Sequence, residues 1–285
     1  MALAEDPYRE YTKTCFRISE VITREYSTSF FSATRLLDEE SRRAIFNIYG
    51  FVRFADEIVD SFHHSDKQKL LDQFERDYYD ALDQGISTNP VLHAFQRTVT
   101  TYGIEDAHVR AFLSSMRSDL NPVNYTGKAD IDRYIYGSAD VVGLMCLKIF
   151  CRENQQQYIE LKEPAMRLGS AFQKVNFLRD LPKDIHQLNR RYFPELLQGD
   201  LDEGKKKAIV KEIEQDFNHA FKGVVKLPGR SRLAVYTAYL YYMSLLSKIN
   251  KNPAEKILEN RIRIPDWRKA LLLLRAIIAY KLNII

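Results

Sequence analysis

From Ser41 to Asp60 the chain reads SRRAIFNIYGFVRFADEIVD, with Ile45, Ile48, Tyr49, Val52, Ala55 and Val59 three or four positions apart. That interval lays the apolar side chains along one stripe of a helix about five turns long. The same periodicity predicts helices near residues 8–25, 66–84, 90–101, 106–119, 130–150, 155–181, 203–221, 230–250 and 265–283. Turn-forming pairs such as Gln84-Gly85, Asn89-Pro90, Asn121-Pro122 and Pro228-Gly229 fall between them. No stretch alternates like a strand, so the pattern predicts an all-α chain. Without a Gly/Ser/Pro-rich linker or a fixed-period repeat, residues 1–285 read as a single domain. Two polar stretches, Asp119 to Asp132 and Asp184 to Gly204, are long enough to lie over a cavity as lids.

Composition narrows this picture. Hydrophobic residues at 45% and charged residues at 28% are the balance of a globular protein. A formal charge of +4 gives no sign of a nucleic-acid partner. Cys15, Cys146 and Cys151 form no CxxC pair and read as packing residues in a reducing compartment. The acidic start MALAEDPYREYTKT does not resemble an export signal, so a cytoplasmic location is expected. The two greasiest tracts, Val141 to Cys151 and Ala270 to Ile285, are interrupted by Lys148 and by Arg275 and Lys281. Neither supplies the roughly 20 apolar residues of a membrane span. The second is expected to be a buried final helix, with a place against a bilayer surface as the alternative.

The chemistry lies in two acid pairs. Asp56 and Asp60 stand four apart, as do Asp180 and Asp184, and no other aspartates in the chain keep that interval. Residues four apart share a helix face, where like charges destabilise by a few tenths of a kcal/mol unless a cation sits between them. Carboxylates without Cys or His neighbours suit a hard ion such as Mg²⁺, which commonly bridges to phosphate oxygens. Arg53 precedes Asp56 by one turn and Arg179 adjoins Asp180, each offering a planar fork to a phosphate. Pro182 inside the second pair is expected to kink or end its helix. His63 and His64, adjacent in sequence, face different ways and read as surface residues.

These segments, taken in order, resemble the squalene and phytoene synthase family. The likeness is carried by YSTSFF (Tyr26 to Phe31), AIFNIYGFVRFADEIVD, YIYGSADVVGLM (Tyr134 to Met145), LGSAFQKVNFLRDLPKD and RYFP (Arg191 to Pro194). It runs over nearly the whole chain and leans toward the bacterial phytoene synthases. What the resemblance implies is a helical bundle of the isoprenoid synthase type with a central cavity. The implied activity is a Mg²⁺-dependent head-to-head condensation of two geranylgeranyl diphosphates, through a cyclopropylcarbinyl diphosphate, to phytoene in carotenoid biosynthesis. Mn²⁺ is the alternative ion, and no NADPH is expected.

By motif position the resemblance gives Asp56, Asp60, Asp180 and Asp184 to the metal, together with Asn176. It gives Ser27, Ser29, Arg53, Gln173, Asn176, Arg179 and Arg190 to the diphosphate, and Tyr134 to the second ionisation or the proton transfer. Glu57 stands where many relatives carry aspartate. One extra residue between Asp184 and Tyr192 leaves Arg190 or Arg191 as the lid arginine, with Arg190 preferred. Phe30, Phe54 and Phe172 lie near the motifs but read as packing residues. Implied partners are the prenyl diphosphate, a membrane touched peripherally at its inner surface, and a phytoene desaturase receiving the product. The alternatives are a squalene or dehydrosqualene synthase using farnesyl diphosphate and, more distantly, a non-catalytic helical adaptor.

Overall fold

The computed structural model describes residues 6–120, 127–186, 192–196, 199 and 201–285. Helix α1 (Pro7–Tyr26) starts at Asp6, whose carboxylate accepts the Tyr8 N–H at 3.1 Å, with Pro7 in the first helical position. Ser27 accepts from the Phe30 N–H and opens the short α2 (Thr28–Thr34). Asp38 caps α3 (Glu39–Ser61), accepting from the Ser41 N–H at 3.0 Å. Helices α4 (Lys67–Gln84) and α5 (Pro90–Tyr102) stop at Gly85 and Gly103, which take left-handed φ values of 71° and 61° that an L side chain strains to adopt.

After α6 (Asp106–Ser118) come α7 (Lys128–Ile135), a π-helical segment (Tyr136–Asp140) and α8 (Val141–Cys151), which follow one another without a break. The long α9 (Gln155–His186) is followed by a 3₁₀ turn (Pro194–Leu196), α10 (Glu203–Val224), α11 (Gly229–Lys251), α12 (Ala254–Glu259) and α13 (Asp266–Lys281). Among the described residues there is no strand, as the periodicity predicts.

Two large apolar cores hold these rods. One gathers Ile48, Phe51 and Ala55 of α3 against Tyr78, Phe95, Phe112 and Met145, with the Phe51 and Phe95 rings stacked 3.9 Å apart. The other gathers Ala171, Val175 and Leu178 of α9 against Phe217, Leu245 and Ile249. Between them α9 packs on α8 and α10, where a Cβ on Gly143 would stand 2.9 Å from the Ala165 carbonyl oxygen and one on Gly223 would overlap the Pro164 ring. A Cβ on Gly169 would stand 2.8 Å from the Ala139 carbonyl oxygen, and one on Gly137 would stand 2.6 Å from that of Ala111. Polar groups lie in the same seam. Lys174 donates to Asp216 at 2.7 Å and to Glu212 at 2.6 Å, while Ser170 donates to Asp140 at 2.7 Å.

Several expectations change. Pro182 does not end its helix, because α9 continues to His186. The missing N–H of one residue removes a single backbone bond, which the surrounding helix tolerates here so close to its end. The final helix is not buried, since Ala276 is the one buried residue of α13. Taken through the π segment, Lys128–Cys151 is long and apolar enough to cross a membrane by length and composition, yet 56% of its apolar window is buried inside the protein. The short α2 and α12 have no counterpart in the periodicity. Parts of both lid stretches, residues 121–126 of the first and 187–191, 197–198 and 200 of the second, fall outside the described residues, and Arg190 and Arg191 are among them.

Two outcomes follow from the seam. Gly137→Ala forces a methyl into the α6 backbone and lowers stability by about 1–3 kcal/mol in urea unfolding. Burial pushes the Asp140 carboxyl from 3.8 up to about 7. The folded chain therefore keeps a proton that the unfolded chain gives up, and stability falls as pH climbs from about 4 to 7. Asp140→Asn removes that fall and gains roughly 2–4 kcal/mol at pH 8.

Candidate active site

Helix α3 turns one continuous face to a cavity of about 710 Å³, and that face changes character along its length. Ile45, Tyr49 and Val52 come first, then Arg53, Asp56 and Asp60 in the last two turns. Helix α9 repeats the order, passing from Leu161, Ala165, Leu168 and Phe172 to Gln173, Asn176, Arg179, Asp180, Lys183 and Asp184. Both polar ends therefore meet at one end of the cavity, and both apolar ends line the other with Leu147, Phe150, Leu227 and Val235. The opening is marked by Tyr26, Lys183 and Arg261, whose side chains line the cavity yet remain about half exposed.

The carboxylates are held by cations. Arg53 Nη1 lies 2.5 Å from Asp56 Oδ2, and its other terminal nitrogen meets Glu57. Arg53 Nε is buried with no hydrogen-bond partner among the described residues. Arg179 binds Asp180 at 2.5 Å, and Arg261, from the segment between α12 and α13, reaches the other oxygen of Asp180 at 2.7 Å. Lys183 of α9 stands 3.6 Å from Asp60 of α3, tying the two acid pairs together. Burial opposes the charge on Arg179, yet the hydrogen bond to Asp180 and its negative surroundings hold its pKa above the ordinary value.

Asp56, Asp60, Asp180 and Asp184 offer hard oxygen donors of the kind Mg²⁺ prefers. Among the described residues no three His, Cys, Asp or Glu side chains cluster closely enough to hold an ion by themselves. An ion placed here needs further oxygens from water or from a phosphate, which is how Mg²⁺ usually binds. The donor set fits such an ion bound together with a phosphate ester.

Aromatic groups complete the wall. Tyr134 donates to Asp119 at 2.9 Å, and its ring stacks on Tyr192, which in turn stacks on Phe177 at 4.0 Å. Tyr242 donates to the Asn176 amide oxygen at 3.3 Å and stacks on Phe172. Burial pushes the Tyr49 phenol up to about 12, with Arg53 acting the other way. Arg53 also lies 4.3 Å over the Tyr26 ring.

The family model for squalene/phytoene synthase matches residues 23–268, a span that includes every one of these groups. The chain belongs to the squalene/phytoene synthase family. This family member is similar to the phytoene synthase of Arthrospira platensis, 28% identical, with 90% of this chain and 91% of that one covered. It is 31% identical to the chloroplastic phytoene synthase 1 of Zea mays over 81% of its own length, but spans only 60% of the maize protein. Two solved structures share its fold. A dehydrosqualene synthase with bound ligand superposes with a TM-score of 0.80 at 23% identity, over 97% of this chain and 99% of the other. The squalene synthase HpnC of Alicyclobacillus acidocaldarius gives 0.72 at 20% identity, over 88% and 97%.

Against the sequence expectations, the family fold brings Asp56, Asp60, Asp180, Asp184, Arg53, Arg179, Gln173, Asn176, Tyr134 and Ser27 to one cavity. Ser29 is not part of its wall, although Phe30 and Phe172 are. Phe54 points away and is 37% exposed, and His63 and His64 are exposed in the turn after α3. Glu57 meets Arg53 outside the lining. Sequence reasoning missed Arg261, Tyr242 and the phenol of Tyr49. Tyr49 sat in the apolar stripe already. Nothing in RIRIPD or YLYYMS distinguishes Arg261 or Tyr242 before the chain is folded.

Proposed function

We propose that residues 1–285 act as one catalytic domain that joins two geranylgeranyl diphosphates head to head. The products are phytoene and two diphosphates, which take up the two protons that the carbon skeleton loses, one on closing the cyclopropane and one on forming the triene, and the step belongs to carotenoid biosynthesis. The observation that carries this reading is the meeting of both acid pairs, with their cations, at one end of a cavity whose other end is apolar. A prenyl diphosphate has the same division, an anionic head and a hydrocarbon tail.

Asp56, Asp60, Asp180, Asp184 and the Asn176 amide oxygen would hold Mg²⁺, with Mn²⁺ as the alternative. When bound, the ion supplies Lewis-acid relief of the charge that builds on a departing diphosphate. Arg53, Arg179 and Arg261 exchange carboxylate oxygens for phosphate oxygens, and Arg53 Nε already has no partner among the described residues. Ser27 and Gln173 line the same polar end and add uncharged donors. The apolar walls exclude water, so an allylic cation meets the double bond of the second chain before it meets a hydroxyl. Rearrangement through the cyclopropylcarbinyl diphosphate and a second ionisation then need a group to receive the final proton. Tyr134 serves there, because it lines the cavity and its hydroxyl donates to Asp119, a carboxylate to which a proton can be relayed. Arg190 remains the proposed lid contact. No reductant enters this course. The chain works in the cytoplasm, peripheral on the inner membrane face, and passes its hydrocarbon to a phytoene desaturase.

Incubation with Mg²⁺ and either the C15 or the C20 diphosphate, with and without NADPH, tests the proposal through diphosphate release and product analysis. Phytoene from the C20 substrate without NADPH is the expected result. Turnover confined to the C15 substrate reassigns the chain to squalene-type chemistry, and release from neither substrate leaves the adaptor reading. Asp56→Ala and Asp180→Ala keep the helical circular dichroism and lose at least ~100-fold in turnover. Glu57→Asp stays active. Arg261→Ala raises KM for the diphosphate more than it lowers kcat.

A further inference from the structure

We infer that the outer face of α13 docks the protein on a bilayer bearing anionic headgroups. Trp267, Leu271, Leu274, Ile278 and Leu282 are 66%, 57%, 54%, 48% and 64% exposed. Their spacing of four, three, four and four residues makes them one stripe of the helix. The opposite side of α13 is satisfied, with Ala276 buried against Leu233, Tyr236 and Leu240 of α11. The helix is thus apolar on two faces, and only the inner one has a partner among the described residues.

The charges around the stripe choose the occupant. Arg268 and Arg275 are exposed along one flank, Lys281 is exposed on the other, and the exposed Arg263 precedes the helix. From residue 261 to 285 the only acid is Asp266. A second copy packed stripe to stripe would set these cations against one another with one acid per copy to offset them. An anionic headgroup layer complements all of them, and an interfacial helix seats its apolar face about 5–10 Å below that layer.

The face is also tied to the cavity opening. Arg261 lines the cavity and holds Asp180, and Lys269 Nζ lies 3.3 Å from the hydroxyl of Thr28, next in sequence to the cavity-lining Ser27. Docking through α13 therefore brings the opening toward the bilayer, where a long-chain prenyl substrate partitions and a hydrocarbon product dissolves.

Trp267 is the only tryptophan in the chain, which makes its fluorescence a direct reporter. Mixed phosphatidylcholine and phosphatidylglycerol vesicles are expected to shift its emission to the blue and shield it from an aqueous quencher. Leu274→Ser with Ile278→Ser lowers vesicle partitioning by about tenfold or more. Arg268→Glu with Arg275→Glu removes the preference for anionic over neutral vesicles. Both double variants keep the wild-type helical signal and wild-type turnover in detergent. The inference is overturned if Trp267 responds to neither vesicle, if uptake by neutral vesicles is equal, or if the shift appears without lipid and follows a sedimentation dimer. Binding is read without turnover, so failure here and failure of the synthase assignment are separable.

Discussion

Four carboxylates are gathered at the C-terminal ends of two helices, where the backbone itself already carries partial negative charge. The last turn of α3 has no basic residue to answer it. The compensation comes from elsewhere, Lys183 of α9 reaching Asp60 and Arg261 reaching Asp180 from beyond α12. Everything else in the structure serves to keep those two ends facing one another. The apolar cores on either side fix the rods, and the glycine seam along the π segment lets α9 approach close enough to close the wall.

The ionic contacts divide into two kinds by burial. Lys174 and Asp216 pair beneath α9 with side chains only 11% and 6% exposed, where breaking the pair leaves an uncompensated charge. They fasten α9 to α10. The pairs of Arg53 with Asp56, Arg179 with Asp180 and Lys183 with Asp60 are more exposed and individually add little to stability. That makes them exchangeable. In the proposed reading, a divalent ion and a diphosphate would replace them without loosening the fold, because the buried pair and the cores keep the frame in place.

The long helices were legible because burial repeats every three or four residues, and the acid pairs because four residues is one turn. Periodicity shows that a helix has an apolar face but not what the face meets, which is why α13 reads as buried and is not. The six- and seven-residue helices α12 and α2 are too short to repeat the pattern. YGSAD looks helical, but the π register at Tyr136–Asp140 depends on how Gly137 lies against α6. Arg261 and Tyr242 join the site only through tertiary contacts more than 60 residues from their partners Asp180 and Asn176.

The grading of α3 and α9 from greasy to acidic separates two tasks in space. In the proposed reading, Leu147, Phe150 and Leu227 would meet the tail, far along the rods from the acid pairs that would meet the head. On that reading, selection could lengthen the accepted hydrocarbon by trimming side chains at the closed end, or shorten it by enlarging them, without touching the acid pairs. One scaffold can in this way diversify into makers of different terpenoid skeletons.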